Sequence, residues 1–503
     1  MKRLITFCFL LFAFYSSFAQ YAIYGTTFGG GVYFTPKNNP NYYGTIFRYD
    51  PITNKQTVLF NFNDTDGMYP QGRLLYASDS MLYGMTQAGG TNNMGTLFSF
   101  NPKTKKEAVL VSFNGTNGAG GPGFNELIQG KDGLLYGTTW IGGATNNGVL
   151  FSYDIQTHKD SVRCNFNDST SFGSRQGGEY MELWQDTTTG ILYGGTAGGG
   201  FPGGGGVIYG FNPKNNKLTR YFVAPFNGNG VDPVGFTGGL TQARNGLSYG
   251  MAIGGGTHDS GVIYSLDVNT DKVQTEYSLG RLNGVFPNGN ELLLGSNGLF
   301  YGGIRQGGVT GNGVLFSYNP SNNTEKVLKN FHDSDGSQPI GRLLQYPTNG
   351  LLYGFTIYGG DTVGNQLGYG ILYSYDTNTN IYTKLLEFTG LNGTFPDGLT
   401  LVDTTKGGGS GAGVAQVKAE SGKVRVYPNP SNGIFQVEIT NYQSENSNRI
   451  EVYNVLGERI YQSIINSNSS EINLSGKPMG VYFYRVITET GNLAGEGKVI
   501  VQR

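Results

Sequence analysis

The stretch Asp132-Gly-Leu-Leu-Tyr-Gly-Thr-Thr139 decides the fold of this chain, because versions of it recur along most of the sequence. Each version contains a Tyr-Gly pair that follows an apolar or small residue. The seven pairs begin at Tyr24, Tyr83, Tyr136, Tyr193, Tyr249, Tyr301 and Tyr353. Their spacings are 59, 53, 57, 56, 52 and 52 residues. A period of this size indicates a repeat architecture built from one supersecondary unit.

The composition favours an all-β protein. The chain has 503 residues, of which 83 are glycine, 34 are tyrosine and 31 are phenylalanine. Disordered glycine-rich chains lack such aromatic content, so the glycines are interpreted as turns between strands. Charged residues make up only 14 % of the chain, and the formal net charge is −1. This balance offers no basic excess for neutralising phosphates and therefore argues against nucleic acid as a partner.

One repeat shows the predicted unit. Residues 122–166 contain four short apolar runs bounded by Gly, Asn, Asp and Pro, which is the pattern of strands and tight turns. The predicted strands are Phe124–Ile128, Leu134–Thr139, Val149–Tyr153 and Val162–Phe166. Four strands in each of seven repeats predict a seven-bladed β-propeller of four-stranded blades. A solenoid is the alternative, although no capping repeats are visible.

The two ends of the repeat region complement each other. The region begins on a second-type strand, Tyr21–Thr27, and ends on a first-type strand, Gly398–Val402. We therefore predict that residues 398–402 complete the first blade and close the ring, so that the propeller spans residues 20–402. Closure would also protect strand edges that otherwise invite pairing with other chains.

The repeats resemble a known family. The run Asp/Asn-Gly-Leu-Leu-Tyr-Gly-Thr-Thr, then Gly-Gly, then Gly-Val-Leu-Phe-Ser-Tyr, is similar to the tandem repeats named GloVer. These repeats occur in secreted bacterial proteins with interchangeable anchoring tails. The resemblance covers about residues 21–402 and implies an extracellular repeat protein. It brings no established catalytic residues.

Residues 1–19 match a secretory signal peptide. Lys2 and Arg3 precede the apolar stretch Leu4–Tyr15, and Ser17-Phe18-Ala19 fits a cleavage site. A membrane anchor is the alternative, but this apolar stretch is short for a bilayer. No later run is long and apolar enough to cross a membrane. Cys8 would leave with the signal, so Cys164 would have no partner for an internal disulfide.

The last hundred residues differ in composition from the repeats. Residues 403–422 are predicted to be a Gly-rich linker, and the alternating strands of residues 423–503 predict a small β-sandwich. This segment resembles the type A sorting domain of the type IX secretion system of Bacteroidota. The matching residues include Tyr427, Pro428, Asn429, Pro430, Gly433, Phe435, Gly457, Gly480, Tyr482 and Lys498. The resemblance implies export by the type IX machinery, followed by release or surface attachment. An ordinary sandwich with a binding role is the alternative.

Catalytic and metal motifs are weak in this sequence. Asn63–Gly67 and Asp333–Gly336 resemble calcium loops, but they lack the twelve-residue spacing and its terminal Glu, so plain turns are favoured. His158, His258 and His332 have no metal-ligand spacing. The Gly203–Gly206 run does not lie between a strand and a helix, as a phosphate loop would. We therefore predict no cofactor and assign no catalytic residue or metal ligand.

Functional residues are expected where one repeat departs from its siblings. The loops Phe28–Tyr43 and Ile357–Tyr369, in the first and last blades, are longer than their counterparts and should leave the same face of the ring. Aromatic side chains with polar tips suit sugar rings or a protein partner. The predicted ligand-binding residues are Tyr33, Phe34, Tyr42, Tyr43, Tyr358, Asp361 and Tyr369, with Trp140 and Arg305 at equivalent loop positions in other blades. The alternative is that these loops only cover the closure seam.

These observations predict a secreted or surface-displayed propeller that binds a glycan or a protein. Two alternatives stay open. One is a polysaccharide-active enzyme with dispersed carboxylates, whose spacing in sequence cannot be recognised because it is spatial. The other is a structural surface protein, which regular repeats would fit equally well.

Overall fold

The structure is a computed structural model of the chain. It describes residues 21–33, 43–120, 126–166, 182–186, 188–196, 198–199, 204–224, 232–287, 289, 291–360, 367–404, 424–427, 431–439, 448–454, 459–465, 467, 469–488 and 493–502. The chain divides into two compact units, Met1–Ala412 and Gly413–Arg503. The predicted signal peptide and the predicted linker from residue 405 onward lie outside the described residues.

The predicted seven-bladed propeller is confirmed. In the described part of the first unit, the strands form seven four-stranded antiparallel sheets, and the only helix is the 3-10 turn Asp333–Asp335. Each sheet is one blade whose strands follow one another in the chain, apart from blade 1, which takes its innermost strand from the end of the unit.

The first four blades contain the following strands. Blade 1 has β1 (Tyr21–Gly29), β2 (Thr45–Asp50), β3 (Lys55–Asn61) and the closing strand β28 (Thr394–Asp403). Blade 2 has β4 (Met68–Tyr76), β5 (Leu82–Ala88), β6 (Thr96–Asn101) and β7 (Lys106–Ser112). Blade 3 has β8 (Ile128–Gln129), β9 (Leu135–Thr138), β10 (Val149–Asp154) and β11 (Lys159–Asn165). Blade 4 has β12 (Trp184–Gln185), β13 (Leu192–Thr196), β14 (Val207–Asn212) and β15 (Lys217–Val223).

The last three blades repeat this order. Blade 5 has β16 (Val234–Gln242), β17 (Ser248–Gly254), β18 (Val262–Asp267) and β19 (Lys272–Ser278). Blade 6 has β20 (Leu293–Leu294), β21 (Phe300–Ile304), β22 (Val314–Asn319) and β23 (Thr324–Asn330). Blade 7 has β24 (Ser337–Gln345), β25 (Leu352–Tyr358), β26 (Ile371–Asp376) and β27 (Ile381–Glu387).

The two ends of the first unit pair with each other. Strand β28 lies antiparallel to β1, with Tyr21 opposite Asp403 and Gly29 opposite Thr394. It is longer than the segment 398–402 in which the sequence predicts a closing strand. The pairing makes the array a ring, so an open solenoid does not describe it.

The Tyr-Gly pair of each repeat has a steric cause. The glycine has no side chain, and an aromatic ring of the third strand occupies the vacant space. A Cβ added at Gly84 would lie 2.5 Å from Cζ of Phe98, and one added at Gly137 would lie 2.8 Å from Cζ of Phe151. Substitution by any larger residue would therefore push this ring out of the blade core.

The tyrosine before that glycine ties the second strand to the preceding turn. The hydroxyl of Tyr83 donates to Asp79 at 2.5 Å, and that of Tyr136 donates to Asp132 at 2.6 Å. In blades 5 and 6 the Asn245 and Asn297 amides donate to Tyr249 and Tyr301 instead. This hydrogen bond satisfies a buried phenol and accounts for the repeated Asx-Gly four residues before Tyr.

The second unit is the predicted β-sandwich. One sheet has the order β29 (Val424–Tyr427), β30 (Ile434–Ile439) and β33 (Ser469–Asn473). The other has the order β32 (Arg459–Ile465), β31 (Asn448–Tyr453), β34 (Gly480–Thr488) and β35 (Leu493–Val501). Phe435, Ile450 and Val499 belong to the core cluster that the two sheets share.

Two of the described residues of the sorting motif belong to this core. Phe435 and Tyr482 are buried, and the Tyr482 hydroxyl donates to the Pro478 carbonyl at 2.6 Å. Gly433 has φ +102°, and a Cβ there would lie 2.7 Å from Cα of Ser475. Tyr427, Gly480 and Lys498 lie on the strands β29, β34 and β35. Pro428, Asn429, Pro430 and Gly457 lie outside the described residues.

The closing strand generates a prediction about stability. A chain that ends after residue 393 loses β28 and leaves the edge of β1 unpaired, whereas a chain that ends after residue 412 keeps the closed ring. We expect the shorter chain to lose cooperative unfolding or to melt at least about 10 °C lower, because several kcal/mol of pairing and burial disappear with the strand. Calorimetry of both truncations measures this. Equal melting temperatures would contradict a stabilising role for β28.

Candidate functional site

One face of the propeller carries the long loops. We call it the loop face, and it is formed by loops between second and third strands, such as residues 89–95 and 305–313, and by connections between blades, such as residues 62–67 and 331–336. The opposite turn face carries the tight turns, such as residues 130–134 and 102–105. Successive strands are antiparallel, so all members of each class lie at the same ends of the blades.

A pocket of about 220 Å³ opens on the loop face where blades 1, 2, 6 and 7 meet. We call it the mouth pocket. Its lining residues are Phe28, Gln71, Arg305, Ile340, Ile357, Tyr358, Phe395, Pro396 and Asp397. They come from the ends of second strands and from the beginnings of innermost strands. The volume is smaller than that of a typical pocket for a drug-sized ligand, so it suits one sugar ring or one side chain.

The rim of this face is built from X-Pro pairs with unusual backbone geometry. Tyr69, Phe286, Gln338 and Phe395 all have positive φ, between 51° and 58°, and each precedes a proline. Bulky residues rarely adopt this conformation, which costs about 1–3 kcal/mol each. A hydrogen bond to the preceding blade holds each residue there. The Phe395 amide donates to the Tyr369 carbonyl at 2.9 Å, and the Tyr69 amide donates to the Tyr43 carbonyl at 3.3 Å.

Aromatic pairs shape two sides of the mouth pocket. Phe28 stacks on Tyr69 with ring centroids 4.8 Å apart. Tyr358 meets Phe395 edge to face at 5.7 Å. Between these sides, Nη2 of Arg305 donates to Oε1 of Gln338 at 3.2 Å. The pocket therefore combines aromatic faces with a guanidinium, an amide and a carboxyl.

The structure brings some of the predicted binding residues together and separates others. Tyr358 and Arg305 line the mouth pocket. Tyr33 is 44 % exposed and meets Tyr43 edge to face at 5.5 Å, beside the pocket in the same blade as Phe28. Tyr369 is buried behind Phe395, with ring centroids 6.4 Å apart.

Trp140 follows β9 in blade 3, at the position that Phe28 and Arg305 occupy in their own blades, and it is not part of the pocket lining. Its indole nitrogen is buried without a hydrogen-bond acceptor among the described residues. Phe34, Tyr42 and Asp361 lie outside the described residues. Sequence reasoning missed Tyr69, Gln71, Phe395 and Asp397. The recurring X-Pro pairs could have indicated two of them, because Tyr69 and Phe395 each precede a proline.

Asp397 forms the floor of the mouth pocket. It is buried, and its Oδ2 accepts from the Gly72 amide at 3.0 Å. Burial raises the pKa of Asp397 to about 7, the Gly72 hydrogen bond and Arg305 lower it, and the Glu126 carboxylate raises it. This carboxyl therefore changes charge near neutral pH.

A ring of mostly charged residues lies below this floor, on the innermost strands or two residues before them. Each blade contributes the residue that directly precedes a buried leucine in its innermost segment. In blade order from 2 to 7 and then 1, these residues are Arg73, Glu126, Glu182, Gly239, Glu291, Arg342 and Gly398. We call them the inner ring. A feature shared by every blade would repeat the same residue, so the mixture of Arg, Glu and Gly at this position is a departure from the repeat.

Ion pairs join neighbours within the inner ring. Glu126 accepts from the amide and from Nε of Arg73, both at 2.9 Å. Nη1 of Arg342 lies 3.2 Å from Oε1 of Glu291. Burial acts to lower the pKa of Arg73, but the carboxylates of Glu126, Glu291 and Glu182 outweigh it and raise the pKa. Glu126 and Glu291 thus each depend on an arginine of a neighbouring blade.

Glu182 and Glu291 form the one like-charged contact of the ring. Burial and the carboxylates of Glu126 and Glu291 raise the pKa of Glu182 well above its usual range. Burial also acts to raise the pKa of Glu291, but Arg342 and the hydrogen bond with Glu182 outweigh it and lower the pKa. Of the two carboxyls, Glu182 is therefore the one that keeps its proton to higher pH. A Cβ at Gly239 would lie 3.0 Å from Cδ of Glu291, so glycine leaves room for this contact.

The most exposed apolar side chains of the loop face lie in the blades that supply most of the mouth-pocket lining. They are Val32, Leu282, Val309, Leu367 and Leu391, each more than 60 % exposed. We call this set the apolar crescent. All five lie in loops and connections of blades 1, 6 and 7, which also supply most of the pocket lining. Similarly exposed apolar residues elsewhere in the described propeller are Ile52 and Ile381, near the turn face.

The described residues contain no group of three or more His, Cys, Asp or Glu arranged for a metal ion. In the calcium-like loop Asn63–Gly67, the Asn63 side chain instead accepts from the amide and hydroxyl of Thr65 at 2.9 and 2.6 Å. His158 serves its own turn, with Nδ1 at 3.1 Å from the Tyr153 hydroxyl.

Two family models match the chain. The model described as Gloeobacter/Verrucomicrobia repeat matches residues 18–183 and 179–427, and the secretion system C-terminal sorting domain matches residues 425–502. The chain therefore belongs to the Gloeobacter/Verrucomicrobia repeat family and carries a type IX sorting tail. That tail directs the protein through the type IX machinery to the cell surface or the medium. No described helix is long and apolar enough to cross a membrane.

Comparisons with other proteins add only distant likenesses. A search of curated proteins finds no match. Among solved structures, TolB from Acinetobacter baumannii is 14 % identical, with a TM-score of 0.38, over 60 % of this chain and 62 % of its own. This chain therefore spans less than two thirds of that protein. A fungal alcohol oxidase in complex with copper is 10 % identical, with a TM-score of 0.46, over 96 % of this chain and 95 % of its own.

Two buried carboxyls, Glu182 of the inner ring and Asp397 of the mouth pocket, predict how the stability of the fold depends on pH. Glu182 and Asp397 have folded-state pKa values above their unfolded values, so the native state binds more protons than the unfolded state between those values. Stability contributed by these groups is therefore lost as the pH rises, and we expect a lower melting temperature at pH 8 than at pH 6. Glu182→Gln should make this slope shallower, because glutamine mimics the protonated acid.

Glu126→Gln is a second variant for comparison, not a pH-neutral control. It removes the partner of Arg73, which should cost about 3 kcal/mol, and it also removes a charge that raises the pKa of Glu182 and of Asp397, so its slope should be shallower as well. Thermal unfolding of the wild type and both variants across pH 6–8 makes the comparison. If the melting temperature of Glu182→Gln fell with pH as steeply as that of the wild type, the raised pKa of Glu182 would be contradicted.

Proposed function

We propose that this exported propeller is a binding module whose main ligand is a glycan, held with one sugar ring in the mouth pocket. The observation that carries the proposal is the meeting of Phe28, Tyr358 and Phe395 with Gln71 and Arg305 in one small pocket. Aromatic faces pack against the C–H faces of sugars, while planar polar side chains bind the hydroxyl groups. The pocket offers both kinds of contact within one ring-sized volume.

The surroundings of the pocket support binding by an extended ligand. Tyr33, exposed beside the pocket, and Tyr69, stacked on Phe28, could receive further units of a chain whose end occupies the pocket. The hydrogen bonds that hold Tyr69 and Phe395 also fix their side chains before the ligand arrives. A fixed surface loses less conformational entropy on binding.

A protein ligand is the second candidate, and the apolar crescent favours it. Val32, Leu282 and Leu391 offer aliphatic surface, which other proteins cover more readily than hydroxyl-rich sugars do. Catalysis on a polysaccharide is less supported, because glycoside hydrolysis commonly uses two carboxyl groups and the pocket lining contains one, Asp397.

The glycan proposal predicts that variants of the pocket lining lose glycan affinity and that a variant outside the lining keeps it. Phe28→Ala and Tyr358→Ala should each weaken glycan binding about fivefold, because each removes an aromatic contact worth about 1 kcal/mol. Phe286→Ala is the control, since Phe286 has the same rim geometry and is 48 % exposed but lies outside the pocket lining. Titration calorimetry against glycans retained on an array measures the affinities, and melting temperatures verify folding.

Other outcomes separate the alternatives. Glycan affinity that is unchanged in Phe28→Ala and Tyr358→Ala would exclude the mouth pocket as the glycan site. Released sugars in the same incubation would indicate an enzyme. No retained glycan, together with a protein ligand whose binding is lost in Leu282→Ser and Leu391→Ser, would favour the protein candidate.

A further inference from the structure

A second pocket lies on the turn face, at the boundary between blades 3 and 4. Its volume is about 390 Å³, within the range of ligand-binding pockets. Three turns form its walls. They are the turn with Lys131 and Asp132 in blade 3, and the turns Thr188–Gly190 and Asn212–Lys214 in blade 4. We call it the turn-face pocket.

Hydrogen bonds within the protein fix these walls. Oε1 of Gln185 accepts from the Lys131 amide at 3.0 Å, and its Nε2 donates to the Gly190 carbonyl at 2.9 Å. Asp186 accepts from the Thr188 and Thr189 amides at 2.8 and 3.1 Å. The shape of the pocket is therefore set without a ligand.

Other blade boundaries contain the same pair of glutamine hydrogen bonds but lack the two lysines. Gln345 of blade 7 accepts from the Ser296 amide at 2.9 Å and donates to the Gly350 carbonyl at 3.1 Å. There the position of Lys131 is Ser296, and the position of Lys214 is Asn378. Gln129 of blade 3 does the same with the Ser78 amide and the Gly133 carbonyl, at 2.9 and 3.1 Å. Of these three boundaries, only the one between blades 3 and 4 adds two ammonium groups.

The two lysines face the pocket without a fixed counter-ion. Neither Lys131 nor Lys214 forms an ion pair within 4.0 Å among the described residues. The one carboxylate of the lining, Asp132, accepts from the Leu134 amide at 3.2 Å and from the Tyr136 hydroxyl at 2.6 Å. Asp186 is buried and bound to its own turn. Both carboxylates are thus engaged elsewhere in the turns.

We propose that the turn-face pocket binds an oxyanion group, a sulfate or a carboxylate, carried by an acidic polysaccharide. Two ammonium groups and the Thr188 hydroxyl would donate charge-assisted and neutral hydrogen bonds to such a group, whereas the Thr189 hydroxyl already donates to Asp186. Apart from Gly190 and Pro213, the lining residues have polar or charged side chains. It differs in this respect from the mouth pocket, and neither site requires the other.

The test uses the full chain and four probes: dextran sulfate, polygalacturonate, neutral dextran and sodium sulfate. Lys131→Gln with Lys214→Gln should weaken acidic-polymer binding about tenfold or more. Lys103→Gln with Lys272→Gln is the matched control, because it removes the same charge and Lys103 sits in an identical Asn-Pro-Lys turn of blade 2. The control should bind like the wild type.

Each outcome decides the proposal. Binding of dextran sulfate alone identifies sulfate, and binding of polygalacturonate alone identifies carboxylate; either supports the site if only the Lys131/Lys214 variant loses it. Equal loss in both double variants would mean non-specific attraction to lysine-bearing turns and would overturn the proposal. Response to sodium sulfate alone, or to no probe, would also overturn it. Phe28→Ala with Tyr358→Ala should keep acidic-polymer binding, so failure of the mouth pocket is recognised separately.

Discussion

The pairing of β28 with β1 is the constraint on which the propeller depends. It joins residues near the two ends of the first unit, with Tyr21 opposite Asp403, and so turns seven similar sheets into a ring. The same pairing builds the mouth pocket, because Phe395 and Asp397 belong to the closing strand and Phe28 belongs to its partner. The ring and the proposed binding pocket thus rest on one contact between distant parts of the sequence, and the mouth pocket cannot form before the ring closes.

Two kinds of position have separate tasks in this fold. Positions that repeat in every blade maintain the blade core. Gly137 leaves space for an aromatic ring of the third strand, and the buried hydroxyl of Tyr136 donates a hydrogen bond to the preceding turn. Positions that vary, such as those of the inner ring and of Lys131, carry the charges. Since the repeated contacts secure each blade by itself, the variable positions are free to differ without loss of the fold. Departures from the repeat are therefore the most informative residues in such a protein.

Much of the architecture could be predicted from the sequence, because Tyr-Gly and the Asx-Gly turns are local signals that recur. Strand limits were less predictable: the fourth strand of blade 3 begins at Lys159, directly after its turn, not at Val162. The site was harder still. Phe28, Arg305 and Asp397 are far apart in the chain and meet only through ring closure. Tyr369 looked like a neighbour of Tyr358 but packs behind Phe395, because the direction of a loop side chain depends on the blade beside it.

The inner ring explains how buried charge and the mouth pocket are connected. Its carboxylates are acceptable in a buried setting because arginines of other blades pair with Glu126 and Glu291, and because Glu182 keeps its proton. Asp397 lies between this ring and the pocket. Its carboxyl accepts a hydrogen bond from the amide of Gly72, the neighbour of Arg73, and the charge of Arg305 at the pocket rim lowers its pKa. A ligand that changes the environment of Asp397 would shift its proton affinity and, through Glu126, the balance of the ring. Ligand binding and proton binding should therefore be thermodynamically linked in this propeller.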